Sequence, residues 1–249
     1  MTAATIDAVR AAEGAGVRFV LVTSRPPIAI ETLLDTLGLI GPDEQGAHPF
    51  VASQGALVGA YTRSGVLRIR HQRSMPVELA QEVVATLPAG LAVNWYAGAR
   101  WLVTSVDPLV AREAGIVGCQ PDLADLQTET VGPDKLLVLA PSDRTALLDA
   151  VAVPAGLASV RSTATHLEIT REGVDKGAAL LELCGELGID PAEVAAIGDG
   201  SNDLAMLTAV GTAVAMGNAV PAVREIAQLV TDTNDRDGVA RAVHALLGR

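Results

Sequence analysis

The segment Gly198-Asp199-Gly200-Ser201-Asn202-Asp203 directly follows an apolar run and sets two carboxylates and an amide close together. At the junction of a strand and a helix, such acids suit a hard divalent cation. Mg2+ takes one or two protein carboxylates and fills its remaining positions with water and substrate phosphate. Other residues have the chemistry to complete such a site. Thr23 and Ser24 follow the apolar stretch 17–22 with hydroxyls and backbone N–H groups, and Lys176 brings a positive charge just ahead of the helical stretch "GAALLEL". A hydroxyl, a lysine and two acids would position a phosphoryl group and neutralise it, which is most of what phosphoryl transfer requires. Singly, each residue has an ordinary role. Thr23 or Ser24 would cap a helix, Asp199 would face water at a strand end, Asp203 would suit a first helical turn, and Lys176 would be a solvated surface charge. The case rests on their combination.

The residues meet only if the elements behind them point the same way. In an open parallel sheet, ligands gather beyond the carboxyl ends of the strands. Ile6, Val9 and Ala12 predict a helix over 3–13, stopped by Gly14 and Gly16. "VRFVLVT" (17–23) predicts a strand buried on both faces and leads to Thr23, Ser24 and Arg25. "PPIAIETLLDTLGL" (26–39) predicts a helix opened by proline and closed at Gly38, and "PFVAS" (49–53) a strand leading to Ser53, Gln54 and Gly55. The last third repeats the scheme: strand 194–199, helix 201–209, strand 211–216 with Met216, Gly217 and Asn218 at its end, helix 219–227, a short strand near 229–231 and helix 238–247. Such alternation means βα units and a parallel sheet.

Residues 58–165 differ in texture. "LAVNWYAGARWLVTSV" reads as two strands around an Ala-Gly turn, "PVELAQEVVATL" and "SDRTALLDAV" as helices, and "DKLLVLA" and "THLEIT" as strands. The expected architecture is a Rossmann-like α/β core of residues 1–57 and 166–249, with an α+β domain over 58–165 inserted into it. Asn94, Trp95, Tyr96, Arg100 and Trp101 fall on the predicted hairpin, where alternating aromatics fill the insert's own core. His48, His71, His166 and His244 show no ligand spacing.

Composition narrows the partners. The chain has 249 residues, 49% of them hydrophobic and only 2% aromatic, so its core is built from aliphatic side chains. A net charge of −11 argues against nucleic acid or an anionic membrane as partner. A small phosphorylated substrate remains compatible, because a bound cation and a placed lysine reverse the local field. Cys119 and Cys184 are far apart in sequence and read as reduced thiols of a cytoplasmic protein. No signal pattern or membrane-length apolar run occurs. Oligomeric state is not encoded in any pattern here.

"VTSR", "VDKGAAL", "IGDGSNDLAML" and "VAMGNAVPAVREIA" together resemble the haloacid dehalogenase superfamily, and in order and spacing its Cof-type phosphatases. The resemblance covers the whole α/β portion and implies that the insert is a cap that closes over the pocket and chooses the substrate. It implies that Thr23 hydrogen-bonds the transferring phosphoryl group, helped by the Ser24 amide, and that Lys176 neutralises phosphate and nucleophile. It further implies Mg2+ on Asp199, with Asp203 holding the metal shell and Asn202 orienting lysine or phosphate. Three departures stand out. Ser24 replaces the family's usual Gly, and Gln54 its frequent Asn before Gly-Ala. The nucleophile motif, Asp-x-Asp-Gly-Thr at the end of a first strand, does not occur in residues 1–249. Asp235-Arg236-Asp237-Gly238 has similar letters but precedes the last helix, and reads as a loop and N-cap.

The resulting expectation is an Mg2+-dependent phosphomonoester hydrolase working through an aspartyl-phosphate. Its nucleophile would lie upstream of Met1, so residues 1–249 alone would be inactive. A phosphomutase of the same superfamily and a non-catalytic phosphate- and metal-binding module are the rival readings. A dinucleotide-dependent dehydrogenase is disfavoured, because no GxGxxG opens a helix after a strand.

Overall fold

The computed structural model describes residues 1–40 and 48–248. Helix α1 (Ala3–Gly14) begins where Thr2 Oγ1 accepts from the Thr5 amide, and it buries Ala8, Val9 and Ala12. Strand β1 (Leu21–Val22) follows, then α2 (Glu31–Leu37), which ends at the predicted Gly38 in a left-handed conformation. Next come β2 (Phe50–Ala52), β3 (Leu57–Tyr61) and β4 (Leu67–Gln72). These strands form one sheet in the order β1-β2-β3-β4, with β1 and β2 parallel and the rest antiparallel.

The middle of the chain supplies α3 (Val77–Ala85), β5 (Ala92–Ala97), β6 (Arg100–Val103), α4 (Pro108–Val117), β7 (Asp122–Leu123), β8 (Lys135–Leu139), β9 (Leu157–Thr163) and β10 (His166–Arg171). They build a six-stranded sheet in the order β7-β6-β5-β8-β10-β9. Alternate residues face opposite ways along each strand. Trp95, Leu102, Leu136, Val138 and Ile169 therefore meet Ala80 and Val83 of α3, whereas Tyr96, Trp101, Leu137 and Leu139 meet Val110 and Ala114 of α4. The predicted hairpin turns at Gly98, whose φ of 58° suits glycine.

The chain then returns with α5 (Lys176–Leu187), β11 (Ala195–Gly198), α6 (Leu204–Thr208), β12 (Thr212–Ala215), α7 (Pro221–Ile226), β13 (Leu229–Val230) and α8 (Gly238–Leu246). The strands β11-β12-β13 make an all-parallel sheet. The α/β class and its parallel core are as expected. Helices α1 and α8 pack together through Ala8, Ala12, Ala240 and Val243. Val22 and Ile197, from strands of different sheets, pack on one shared cluster around β12.

Strands β3 and β4 pair with the β1-β2 sheet, while β10, just past the expected boundary at 165/166, pairs between β8 and β9. Several local expectations are corrected. The expected strand over 17–23 is laddered only at Leu21 and Val22. Upstream, the Phe19 amide donates to the Glu13 carboxylate and the Val17 amide to Ala12 O. The expected helix in "SDRTALLDAV" is a 3-10 helix, Thr145–Ala150, and the Thr145 carbonyl accepts from Arg161. Asp237 makes no side-chain cap for α8; its carboxylate accepts instead from Thr2 Oγ1 at 2.6 Å.

Candidate active site

The site is built around Asp203. Its residue is 6% exposed, yet its carboxylate accepts three hydrogen bonds. Oδ1 takes Lys176 Nζ at 2.6 Å, and Oδ2 takes the backbone amides of Asp199 and Gly200 at 2.9 and 3.0 Å. A carboxylate held this way fixes both the turn after β11 and the lysine. Glycines permit the close approach. A Cβ on Gly177 would lie 2.5 Å from Ala205 O, so α5 can bring Lys176 against the start of α6 only because residue 177 has no side chain.

Lys176 is the first residue of α5, N-capped by the Asp175 carboxylate on the Ala178 amide. It is also 6% exposed. A helix N-terminus is electropositive and favours anions, so a buried lysine there opposes the dipole and is tolerated through Asp203. Asp199 is exposed, and its Oδ2 accepts from Asn218 Nδ2 at 2.8 Å. Asn218 in turn accepts from the Asn234 amide. Among the described residues no donor is paired with Asp199 Oδ1, which leaves an oxygen of the right chemistry for Mg2+. The two acids are therefore not equivalent. Asp199 fits a metal ligand, whereas Asp203 is committed to lysine and backbone. Among the described residues no group of three or more His, Cys, Asp or Glu side chains is arranged to hold a metal by itself.

Thr23 follows β1. Its amide donates to Val51 O at 2.8 Å, and its Oγ1 accepts from the Arg25 amide at 3.1 Å, leaving the hydroxyl proton to donate. The next loop is tied to it, with the Gln54 amide on Thr23 O and the Ser53 amide on Arg25 O. Gln54 Oε1 accepts from Asn202 Nδ2 at 3.2 Å, which joins the Thr23 side of the site to the Asp199–Asp203 side. In this arrangement Asn202 bonds to Gln54, not to Lys176. The structure thus brings Thr23, Lys176, Asn202, Asp199 and Asp203 onto one connected set of loops at the strand ends.

Residues 1–243 match the family model for the haloacid dehalogenase-like hydrolases. The chain belongs to that family. It is 31% identical over 256 aligned residues to a putative phosphatase of Bacillus subtilis, spanning 97% of this chain and 90% of the relative. A solved haloacid dehalogenase-like hydrolase from Bacteroides thetaiotaomicron superposes with a TM-score of 0.84 at 26% identity, covering 98% and 92% of the two chains. A subclass IIB sugar phosphatase of the superfamily shares the fold with a TM-score of 0.79 at 20% identity, covering 100% of this chain and 92% of that one. These likenesses agree with the Cof-type resemblance of the four motifs.

One contact between the six-stranded sheet and this haloacid dehalogenase core was not legible in sequence. Lys135, at the start of β8, donates to Ser24 O at 2.6 Å and to Glu168 Oε2 at 3.2 Å. It lies 5.5 Å from the centre of the Tyr96 ring. The loop after Thr23 is thereby held from above, and Ser24 offers its carbonyl to the lysine. No local pattern marks Lys135, because its partners lie far away in sequence. Asn94 and Trp101 are buried and bond to each other, Trp101 Nε1 donating to Asn94 Oδ1 at 3.0 Å, as core residues should. Arg100 pairs with Glu129 at the surface.

Proposed function

We propose that the protein is an Mg2+-dependent phosphomonoester hydrolase acting on a small phosphorylated metabolite, such as a sugar phosphate, through an aspartyl-phosphate. The observation that carries this reading is the buried Lys176, placed against a helix dipole and 2.6 Å from Asp203. A cation is kept in so unfavourable a position for an anionic ligand. The names of the full-length relatives, putative phosphatases of Bacillus subtilis and Streptococcus pyogenes, support the same class of chemistry.

The geometry supports the following roles. The Thr23 hydroxyl and the Ser24 amide would donate to phosphoryl oxygens, and Lys176 would neutralise charge that grows as the phosphoryl group transfers. Asp199 would hold Mg2+, which supplies further charge neutralisation when bound. Asp203 would keep Lys176 and the Asp199 turn in place. Residues 75–171, carrying the six-stranded sheet, would act as a cap that selects the leaving group and excludes water. The Lys135 bond to Ser24 O supports that placement.

An aspartate nucleophile divides hydrolysis into two easier displacements. It would sit at the end of a strand lying between β1 and β11. Among the described residues strands β1 and β11 each pair with one neighbour, and Val22 and Ile197 share a cluster, which supports a further parallel strand between them. Such a strand would end beside Thr23 and Asp199. Among the described residues no helix is long and apolar enough to cross a membrane.

Turnover of phosphomonoesters by the natural protein in heavy-oxygen water separates the readings. Labelled phosphate with a dephosphorylated product is expected. Phosphate returned to a sugar would make the protein a mutase. Ligand-induced stabilisation with no product would make it a binding module.

A further inference from the structure

The turn after β2 is unusual in its backbone and in one buried side chain. Ser53, Gln54 and Gly55 have φ values of 50°, 63° and 101°, three successive left-handed residues of which two carry side chains. That conformation is disfavoured for such residues, and it persists where the surroundings impose it. Here the Ser53 and Gln54 amides are bonded to the Arg25 and Thr23 carbonyls. A Cβ on Gly55 would lie 2.2 Å from Asp175 O, directly before Lys176. The turn is wedged between the loops that carry Thr23 and Lys176.

Gln54 is 5% exposed. Its Oε1 is held by Asn202 Nδ2 at 3.2 Å, which fixes the plane of its amide. Nε2, at the other corner of that amide, is buried without a hydrogen-bond partner among the described residues, and so is Ser53 Oγ. Buried polar groups are rarely left unpaired, so an orphaned primary amide demands a reason. This one is bordered by the three loops that bear Thr23, Lys176 and Asn202. An NH2 group can only donate, so its partner must be an oxygen acceptor.

We propose that Gln54 is a substrate-binding residue whose Nε2 donates to an oxygen of the phosphoryl group. The proposal rests on the phosphomonoester reading above and adds to it a donor absent from the four motifs. The strained turn exists to bring this amide into the site, with Asn202 setting its orientation.

Two variants of the natural protein test it. Gln54→Met keeps the length and volume of the side chain but has no donor. Gln54→Glu keeps an acceptor for Asn202 and replaces the donor by a negative charge. Binding of inorganic phosphate in the presence of Mg2+ is measured by calorimetry, with thermal unfolding to confirm folding. Loss of a hydrogen bond to an anion should weaken phosphate about 10- to 100-fold in Gln54→Met. Gln54→Glu should weaken it further, and it carries the test if Gln54→Met does not fold. Phosphate affinity within about twofold of wild type in a folded variant would overturn the proposal. So would a raised KM for substrate with phosphate binding unchanged, which would place the amide on the leaving group. Wild-type protein that neither binds phosphate nor turns over phosphomonoesters would overturn the hydrolase reading and this proposal together, whereas unaffected variants of an active enzyme overturn this proposal alone.

Discussion

Removing the Asp203 carboxylate should cost the fold more than almost any other single change at the site. In Asp203→Ala, the ammonium of Lys176 loses its 2.6 Å partner, and the amides of Asp199 and Gly200 lose their acceptor. Both side chains of the pair are under one-tenth exposed, at 7% and 9%, so water screens the loss poorly. Breaking a buried pair by deleting one member costs about 3–5 kcal/mol. The two amides are only partly buried, so each adds less than the roughly 1–3 kcal/mol of a fully buried unpaired group. The three bonds share one carboxylate and are not additive, so a total of about 5 kcal/mol is expected, measured by urea unfolding. Lys176→Met in the same background should recover part of that loss, because it removes the stranded charge. The double-mutant cycle should show coupling of at least about 2 kcal/mol. An Asp203→Ala variant within about 1 kcal/mol of wild type, or an additive cycle, would refute the claim that Asp203 is the structural anchor of the site.

Three further outcomes follow from the geometry. Thr23→Val removes a hydroxyl that can donate to substrate while holding the Arg25 turn, and kcat/KM should fall about 100-fold, with Thr23→Ser retaining most activity. Gly55→Ala puts a Cβ into Asp175 O at a φ of 101°, and should destabilise by more than about 2 kcal/mol in denaturant titration. Burial raises the carboxyl pKa of Asp134, against hydrogen bonds from Gly98, Gln72 and Ser74 that lower it. Because its folded pKa lies above the unfolded value, its contribution to stability is fully present below the ordinary carboxylate range and declines as pH rises through the folded pKa. The stability of wild type relative to Asp134→Asn should therefore fall with rising pH above about pH 4; a flat difference would contradict the shift.

What could be read from sequence was the part governed by local pattern. Val9 and Ala12 lie on the buried face of α1 with Ile6 half-buried beside them, and Gly38 stops α2 because a left-handed residue is needed there. The Ala-Gly turn between β5 and β6 lies where predicted. Asp199, Asn202 and Asp203 fall on one turn, so their neighbourhood was visible in spacing alone. What escaped depends on partners distant in the chain. The sheet to which β10 belongs is set by its pairing with β8, a non-local choice that composition does not reveal. Lys135 reaches Ser24 across 111 positions, and Gln54 reaches Asn202 across 148. The unequal hydrogen bonding of Asp199 and Asp203 was hidden for another reason. Both are acids beside glycine or asparagine, and only the direction of the backbone amides tells which is consumed by the turn.

The most direct test of the account is phosphate release by the natural protein from a panel of small phosphomonoesters, with and without Mg2+, for wild type and Lys176→Met. Wild type should release phosphate in an Mg2+-dependent manner, and Lys176→Met should lose at least about 1,000-fold, because its transition-state charge would go unneutralised. No release by wild type from any member of the panel, or equal release by both proteins, would contradict it.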